Sequence, residues 1–145
     1  MLQRDDIAQI IEEYDRMKLR IGMTASHSAL DICDGGIEEG FPTVAYCQEG
    51  RHKTYANYFK TKRSSSGRVL RGMVDKAIVM PSFNDVMDEA MQVEMRKRNV
   101  VYIPNRSFTS YSSIEDVENK FKVPLFGSRN MLRMEERTEE QDYYW

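Results

Sequence analysis

Four short apolar runs alternate with stretches of helical periodicity along the chain. The runs occupy residues 19–25, 43–47, 74–80 and 100–104, and they combine β-branched, aromatic and small residues. Runs of this length and composition are typical of buried strands. Strands that alternate with helices predict an α/β domain with a mostly parallel sheet of about four to five strands flanked by helices. The crossover between the first two strands should be right-handed.

Helical spacing of apolar residues lies between these runs. A first helix is predicted over residues 5–17, with one face packed on the sheet. A second follows the first strand and should end within residues 35–40. A third, rich in methionine, should begin at residues 83–85, where Asn84 is a possible cap. A fourth should run over residues 113–121.

The turn after the first strand is the main candidate for ligand binding. Ser26, His27 and Ser28 follow the strand directly, and either serine hydroxyl could cap the next helix. Such a turn presents unpaired N–H groups at the carboxyl edge of a sheet, where phosphates and carboxylates bind. Many turns of this kind bind nothing, and a histidine in one is often only a surface residue. The turn alone leaves both interpretations open.

Residues 48–76 depart from the strand and helix pattern. They mix basic residues with tyrosine and phenylalanine, and they include the serine-rich run 64–67. Basic residues among aromatics can indicate contact with single-stranded nucleic acid. A solvated loop whose aromatic side chains pack back onto the domain is a second interpretation. A third is that Arg51 and Lys53, which follow the second strand, lie beside the turn at His27, at the same sheet edge.

Further candidates follow the fourth strand. Arg106 and Ser107 leave it at what should be the same carboxyl edge, although residues after a proline often only finish a turn. Residues 123–127 predict a short edge strand, where a proline is acceptable. Residues 128–145 look helical and end in three aromatic residues. We expect the chain to be part of a longer protein, because such aromatics normally pack against something.

Composition narrows the classes of protein. The 145 residues suit one domain, and a formal net charge of −2 argues against a dedicated nucleic-acid binder. Cys33 and Cys47 form no CxxC pair and should be reduced core thiols of a cytoplasmic protein. No metal site is expected, because His27 and His52 lack partners at ligand spacing. No apolar run is long enough to span a membrane, and neither GxGxxG nor a Walker motif occurs.

Four motifs carry a resemblance to a known family. They are SHSALDI at residues 26–32, GRHKTY at 50–55, YIPNRSF at 102–108 and VPLFGSRNMLR at 123–133. In this order they are similar to the amino-terminal region of the archaeal formate-dependent ligases that formylate 5-aminoimidazole-4-carboxamide ribonucleotide (AICAR). These ligases are ATP-grasp enzymes of purine biosynthesis. The resemblance covers most of the chain.

The resemblance implies a Rossmann-like, pre-ATP-grasp domain over residues 1–127. Residues 128–145 would begin the connection into an ATP-grasp portion. ATP would phosphorylate formate, and the amine of AICAR would capture the formyl group. ATP and Mg²⁺ would be held by that further portion, with no cofactor bound to this chain alone. The implied enzyme is cytoplasmic and homo-oligomeric.

The resemblance also points to site residues. By motif position, His27 and Ser107 match the AICAR contacts of the family, whereas Asn105-Arg106 departs from it, since His or Gly is frequent there. N–H groups, hydroxyls and cations suit a phosphate, and each charge-assisted hydrogen bond contributes roughly 1.5 to 3 kcal/mol. The expected substrate-binding residues are therefore His27, Ser107, Ser26, Ser28, Arg51, Lys53 and Arg106. We expect them to orient AICAR, and no catalytic or metal-binding residue is expected. The alternatives are a stand-alone nucleotide-binding or regulatory domain and a single-stranded RNA-binding module.

Overall fold

The structure, a computed structural model, describes residues 2–26 and 28–127. His27 and the helix predicted over residues 128–145 lie outside the described residues. The helices are α1 (Arg4–Glu12), α2 (Ala29–Glu38), α3 (Glu89–Lys97), α4 (Arg106–Tyr111) and α5 (Ile114–Asn119). The strands are β1 (Arg20–Thr24), β2 (Thr43–Gln48), β3 (Lys62–Arg63), β4 (Val69–Arg71), β5 (Lys76–Met80) and β6 (Val100–Tyr102). Short 3-10 helices span Arg16–Lys18 and Phe83–Met87, and a π-helical turn spans Thr54–Tyr58.

Four of these strands form one parallel sheet in the order β5-β2-β1-β6. The predicted parallel sheet is therefore confirmed, and its strands begin and end close to the apolar runs. The central strand β1 contains Gly22, which pairs with Val44 on one side and with Tyr102 on the other. A Cβ atom at Gly22 would lie 2.6 Å from Cγ1 of Val100. Glycine therefore allows the side chains of neighbouring strands to close over β1.

Side chains of the sheet alternate between two buried clusters. On β2, Val44 and Tyr46 belong to one cluster, whereas Ala45 and Cys47 belong to the other. The first cluster also contains residues of α3, α4 and α5, and the second contains residues of α2. Helices therefore flank both faces, which confirms the predicted α/β architecture. Both cysteines are buried and free, as expected.

The first helix differs from its prediction. α1 has no buried residue, so the predicted packing of one face on the sheet is wrong. Its start lies against α5 instead, because the Leu2 amide donates to the Glu118 carbonyl at 2.8 Å. The helix ends before Asp15, whose carboxylate accepts from the Met17 amide and starts a 3-10 turn. Tyr14, which follows the end of α1, is buried, and its hydroxyl donates to the Val100 carbonyl at 2.7 Å.

Two other predicted elements are modified. The third helix is interrupted at Asp88, whose backbone is extended, and it is Ser82 rather than Asn84 that caps the preceding 3-10 helix. The predicted strand over residues 123–127 is reduced to a single parallel bridge between Tyr102 and Leu125. The helix predicted over residues 113–121 is observed as α5, and Ser113 caps it by accepting from the amide three residues later.

The basic segment forms an antiparallel β3-β4 hairpin and a π-helical turn. Tyr55 is buried in the second cluster, and Phe59 packs against that cluster, whereas Tyr58 is 78% exposed. The interpretation of a solvated segment whose aromatics pack back onto the domain is therefore confirmed for Tyr55 and Phe59. The serine-rich run is the turn of the hairpin, closed by a hydrogen bond from the Gly67 amide to the Ser64 carbonyl at 2.9 Å.

Candidate functional site at the carboxyl edge of the sheet

The strand order creates a switch point at the carboxyl edge. From β1 the chain moves outward to β2 and β5, and it then returns to place β6 on the other side of β1. The segments that follow β1 and β6 therefore leave the sheet side by side and diverge. Ligands of open α/β sheets bind in the crevice at such a switch point. The turn at Ser26 and the segment at Ser107 follow these two strands.

The turn after β1 is held by backbone hydrogen bonds. The Ala25 amide donates to the Tyr46 carbonyl at 2.9 Å, and the Ala29 amide donates to the Ser26 carbonyl at 3.1 Å. Ser28 is the N-cap residue of α2, but its side chain makes no capping hydrogen bond. Its backbone, with φ −87° and ψ 15°, lacks the extended conformation that directs a capping hydroxyl back to the helix. The prediction of Ser28 as the N-cap residue is therefore correct in position, but the predicted hydrogen bond from its hydroxyl is absent.

The segment after β6 is a helix, not the finishing turn that remained an alternative in the sequence. Asn105 caps α4, and its Oδ1 accepts from the Phe108 amide at 3.0 Å. Ser107 lies in the first turn of α4 and is only 7% exposed. Arg106 is exposed, and its carbonyl accepts hydrogen bonds from the hydroxyls of Thr109 and Ser110.

Asn105 also joins the two segments of the switch point. Its Nδ2 donates to the Thr24 carbonyl at 2.9 Å and to the Ser26 carbonyl at 3.3 Å. Asn105 was not among the site residues predicted from the sequence. A signal was present, since asparagine is a preferred N-cap and precedes the apolar Phe108 by three residues. The contacts with Thr24 and Ser26 have no local signal, because they join residues about eighty positions apart.

Buried side chains of β1, β6, α4 and the segment after α5 pack together beneath this edge. The hydroxyls of Thr24 and Tyr102 are 2.7 Å apart, and both residues are buried. Burial raises the pKa of the Tyr102 hydroxyl well above its usual range, so it remains protonated. The ring of Tyr102 packs against Phe108 and Phe121, with centroids 4.9 and 5.2 Å apart. These buried residues pack beneath the edge, and the Tyr102 hydroxyl does not exchange its proton near neutral pH.

The predicted cations occupy different parts of the edge. Arg51, which follows β2, donates to the Tyr111 hydroxyl at 3.3 Å and so lies near the end of α4. Lys53 and Arg106 are exposed. Within residues 2–26 and 28–127, none of these three cations is in an ion pair. Cations at the surface attract an anion at long range, so this attraction does not need direct contact in the free protein.

The segments that leave this edge carry polar and basic side chains. Ser26 and Ser28 follow β1, Arg51 follows β2 and Ser107 follows β6, and hydroxyls and cations are groups that bind phosphates. In the part of the chain that the structure describes, no group of three or more His, Cys, Asp or Glu residues could hold a metal ion. No helix among the described residues is long and apolar enough to cross a membrane.

The fold and this edge define a parallel α/β domain with a candidate ligand site at its switch point. A family model described as "Protein of unknown function (DUF1246)" matches residues 21–145, and the chain belongs to this family.

Named relatives support the resemblance seen in the four motifs. A protein of Methanopyrus kandleri named 5-formaminoimidazole-4-carboxamide-1-(beta)-D-ribofuranosyl 5'-monophosphate synthetase is 38% identical over 135 residues, which are 93% of this chain and 34% of that protein. A protein of the same name from Methanobrevibacter smithii is 35% identical over 138 residues, with 94% and 34% covered. The chain thus spans about a third of the length of the curated relatives it matches.

A solved structure confirms the fold. The crystal structure of an IMP biosynthesis protein PurP from Thermococcus kodakaraensis superimposes with a TM-score of 0.60 and 29% sequence identity. The match covers 85% of this chain and 34% of the other. The family resemblance and the α/β fold class are therefore both confirmed.

Proposed function

We propose that this chain is the substrate-binding domain of an ATP- and formate-dependent ligase that converts AICAR to its formamido ribonucleotide (FAICAR) in IMP biosynthesis. The observation that carries the proposal is the 38% identity, across 93% of the chain, to a protein named as the synthetase of that ribonucleotide. The structural likeness to an IMP biosynthesis protein supports it. The enzyme would be cytoplasmic and homo-oligomeric.

The reaction requires two steps. The terminal phosphoryl group of ATP passes to formate and leaves ADP. The amine of AICAR then attacks the carbonyl carbon of formyl phosphate, loses a proton and expels phosphate. ATP would supply the phosphoryl group, and Mg²⁺ would neutralise its charge. Following the resemblance to the ATP-grasp ligases, we assign ATP and Mg²⁺ to the ATP-grasp portion of the enzyme. Residues 1–127 would be the AICAR-side domain, and residues 128–145 the start of its connection to the ATP-grasp portion.

The edge residues would orient AICAR. We assign Ser107 and His27 to the bound ribonucleotide, by their positions in the family motifs. Ser26 and Ser28 would contribute hydroxyl or amide groups, and the cations Arg51, Lys53 and Arg106 would attract the phosphate dianion. Their support is the placement of β1 and β6 at the switch point together with the absence of ion pairs for these cations among the described residues.

A coupled assay tests the proposal on the protein encoded by the whole gene. With AICAR, formate and ATP present, we expect FAICAR, ADP and phosphate in equal amounts, and no product when any one substrate is left out. His27→Ala and Ser107→Ala should raise the KM for AICAR and leave the KM for ATP unchanged. Ser66→Ala, in the hairpin turn, is the matched control and should have no effect on either KM.

The same assay distinguishes the alternatives. AICAR binding without turnover would favour a nucleotide-binding or regulatory domain. An RNA-binding module would bind single-stranded RNA with an affinity that falls steeply as salt is added. Consumption of ATP and formate with no dependence on AICAR would overturn the assignment of the substrate.

A further inference from the structure

A single buried side chain joins both segments of the switch point. Asn105 is 9% exposed and forms three hydrogen bonds with backbone groups. Its amide nitrogen donates to the carbonyls of Thr24 and Ser26, and its amide oxygen accepts from the Phe108 amide. A carboxamide offers two donor hydrogens and one acceptor oxygen. Asparagine therefore matches two carbonyls on one side and one N–H group on the other.

The sheet beneath does not depend on this side chain. The Ile103 amide donates to the Gly22 carbonyl at 2.8 Å, and the hydroxyls of Thr24 and Tyr102 join β1 to β6 independently. These contacts lie on the strands, whereas the contact of Asn105 with Ser26 lies in the turn beyond β1. Loss of Asn105 should therefore free the turn relative to α4 while the strands stay paired.

We propose that Asn105 is a positioning residue that fixes the turn after β1, which contains Ser26, against α4, so that Ser26 and Ser107 face one ligand. The proposal deepens the proposed function and rests on it for the identity of the ligand, AICAR. Asn105 is not assigned a contact with AICAR. It acts through the backbone carbonyls of Thr24 and Ser26, which it holds at 2.9 and 3.3 Å.

Substitutions can separate the capping of α4 from the hydrogen bonds that Asn105 donates to the turn after β1. Asn105→Asp keeps an oxygen that accepts from the Phe108 amide, but its carboxylate would face two carbonyl oxygens without a donor. Asn105→Ser likewise keeps a capping oxygen and cannot donate to both carbonyls, and it avoids the added charge. Asn105→Ala removes both functions. Ser113→Ala removes the cap of the neighbouring α5 and is the matched control.

Two measurements are made on each variant of the chain. The first is calorimetric titration with AICAR, where Asn105→Asp and Asn105→Ser should weaken binding by about tenfold or more. The second is hydrogen exchange at the amides of Ser26 and Ala29, which bond within the turn. Both variants should exchange faster there, while the amides of β1 and β6 remain protected. Ser113→Ala should alter neither the affinity nor the exchange of the turn.

The outcomes separate the two proposals. If the unaltered chain does not bind AICAR, the assignment of AICAR to this edge fails, and the exchange of the turn alone decides the role of Asn105. If Asn105→Asp and Asn105→Ser both exchange as the unaltered chain does, the positioning role is wrong. If only Asn105→Ala weakens binding, Asn105 serves as the cap of α4 and nothing more, which also overturns the proposal.

Discussion

The guanidinium of Arg63 holds the carboxylate of Asp75 through two hydrogen bonds, from Nε at 2.7 Å and from Nη2 at 2.8 Å. The same carboxylate accepts from the Thr61 hydroxyl at 2.7 Å and from the Thr43 amide at 3.0 Å. The Lys60 ammonium donates to the Asp75 carbonyl. Asp75 therefore anchors the hairpin at the amino ends of β2 and β5, opposite the candidate ligand edge.

Removal of this anchor should destabilise the fold. Asp75→Ala leaves the Thr43 amide and the Arg63 guanidinium without their acceptor, and we expect a loss of about 2 kcal/mol in the free energy of unfolding. Urea denaturation measures it. Lys97→Ala is the control, because Lys97 forms only an exposed ion pair with Glu94 at 3.7 Å and should cost less than about 0.5 kcal/mol. Equal losses in the two variants would contradict the anchoring role.

The same carboxylate should make stability depend on pH. Partial burial acts to raise the pKa of Asp75, but hydrogen bonds from Arg63, Thr61 and the Thr43 amide outweigh it and lower the pKa below its usual range. The unfolded chain therefore takes up the proton first, so this contribution is full above the ordinary carboxyl pKa of about 3.9 and is lost as the pH falls further.

Urea denaturation of the unaltered chain and of Asp75→Asn tests this dependence. The difference in stability between them should be largest near neutral pH and should shrink as the pH drops below about 4. A difference that stays constant across that range would show that Asp75 does not titrate as proposed.

Close packing over β1 gives a second prediction about stability. Gly22→Ala would place a methyl group 2.6 Å from Val100 Cγ1, and we expect a loss of about 1 to 3 kcal/mol. The matched control is Gly35→Ala in α2, where a Cβ atom would meet nothing within 4 Å. That variant should gain about 0.5 to 1 kcal/mol, since alanine favours a helix over glycine. Thermal unfolding of the pair would refute the packing claim if both changes had the same sign.

The two thiols should be unreactive in the folded chain. Burial raises the pKa of Cys33 to about 12 and the pKa of Cys47 to about 12. Since the thiolate is the reactive form, iodoacetamide at about pH 8 should label neither cysteine until the chain is unfolded. Mass spectrometry before and after addition of guanidinium measures the labelling. Rapid labelling of either cysteine under native conditions would mean that its cluster opens easily.

Much of the sheet could be predicted from local patterns. The run at residues 43–47 is apolar throughout, as is typical of a strand buried on both faces, and β2 occupies Thr43–Gln48. The end of α2 could also be predicted, because a glycine often follows the end of a helix in the left-handed conformation, and Gly40 adopts φ 86° shortly after Glu38. These features depend on residues that are close in sequence, which is why they were predicted correctly.

The features that were not predicted depend on contacts between residues that are distant in sequence. α1 was misplaced because helical spacing shows which residues share a face but not what that face meets. The role of Asn105 was missed because its partners, Thr24 and Ser26, lie on another segment. The hairpin was missed because β3 and β4 are only two and three residues long and mostly exposed, and because Asp75, which lies outside both strands, holds Arg63. The candidate edge was predictable in outline from the strand ends, and the cap at α4 had a local signal, but the absence of a capping hydrogen bond from Ser28 was not predictable.

Direct titration with AICAR is the measurement closest to the central claim. Calorimetry on this chain should show binding of AICAR, weaker binding of ribose 5-phosphate, which lacks the base, and no binding of ATP. Ser107→Ala should reduce the affinity for AICAR, and Ser66→Ala should not. Binding of ATP in place of AICAR, or equal binding of AICAR and ribose 5-phosphate, would contradict the assignment of this edge as the AICAR site.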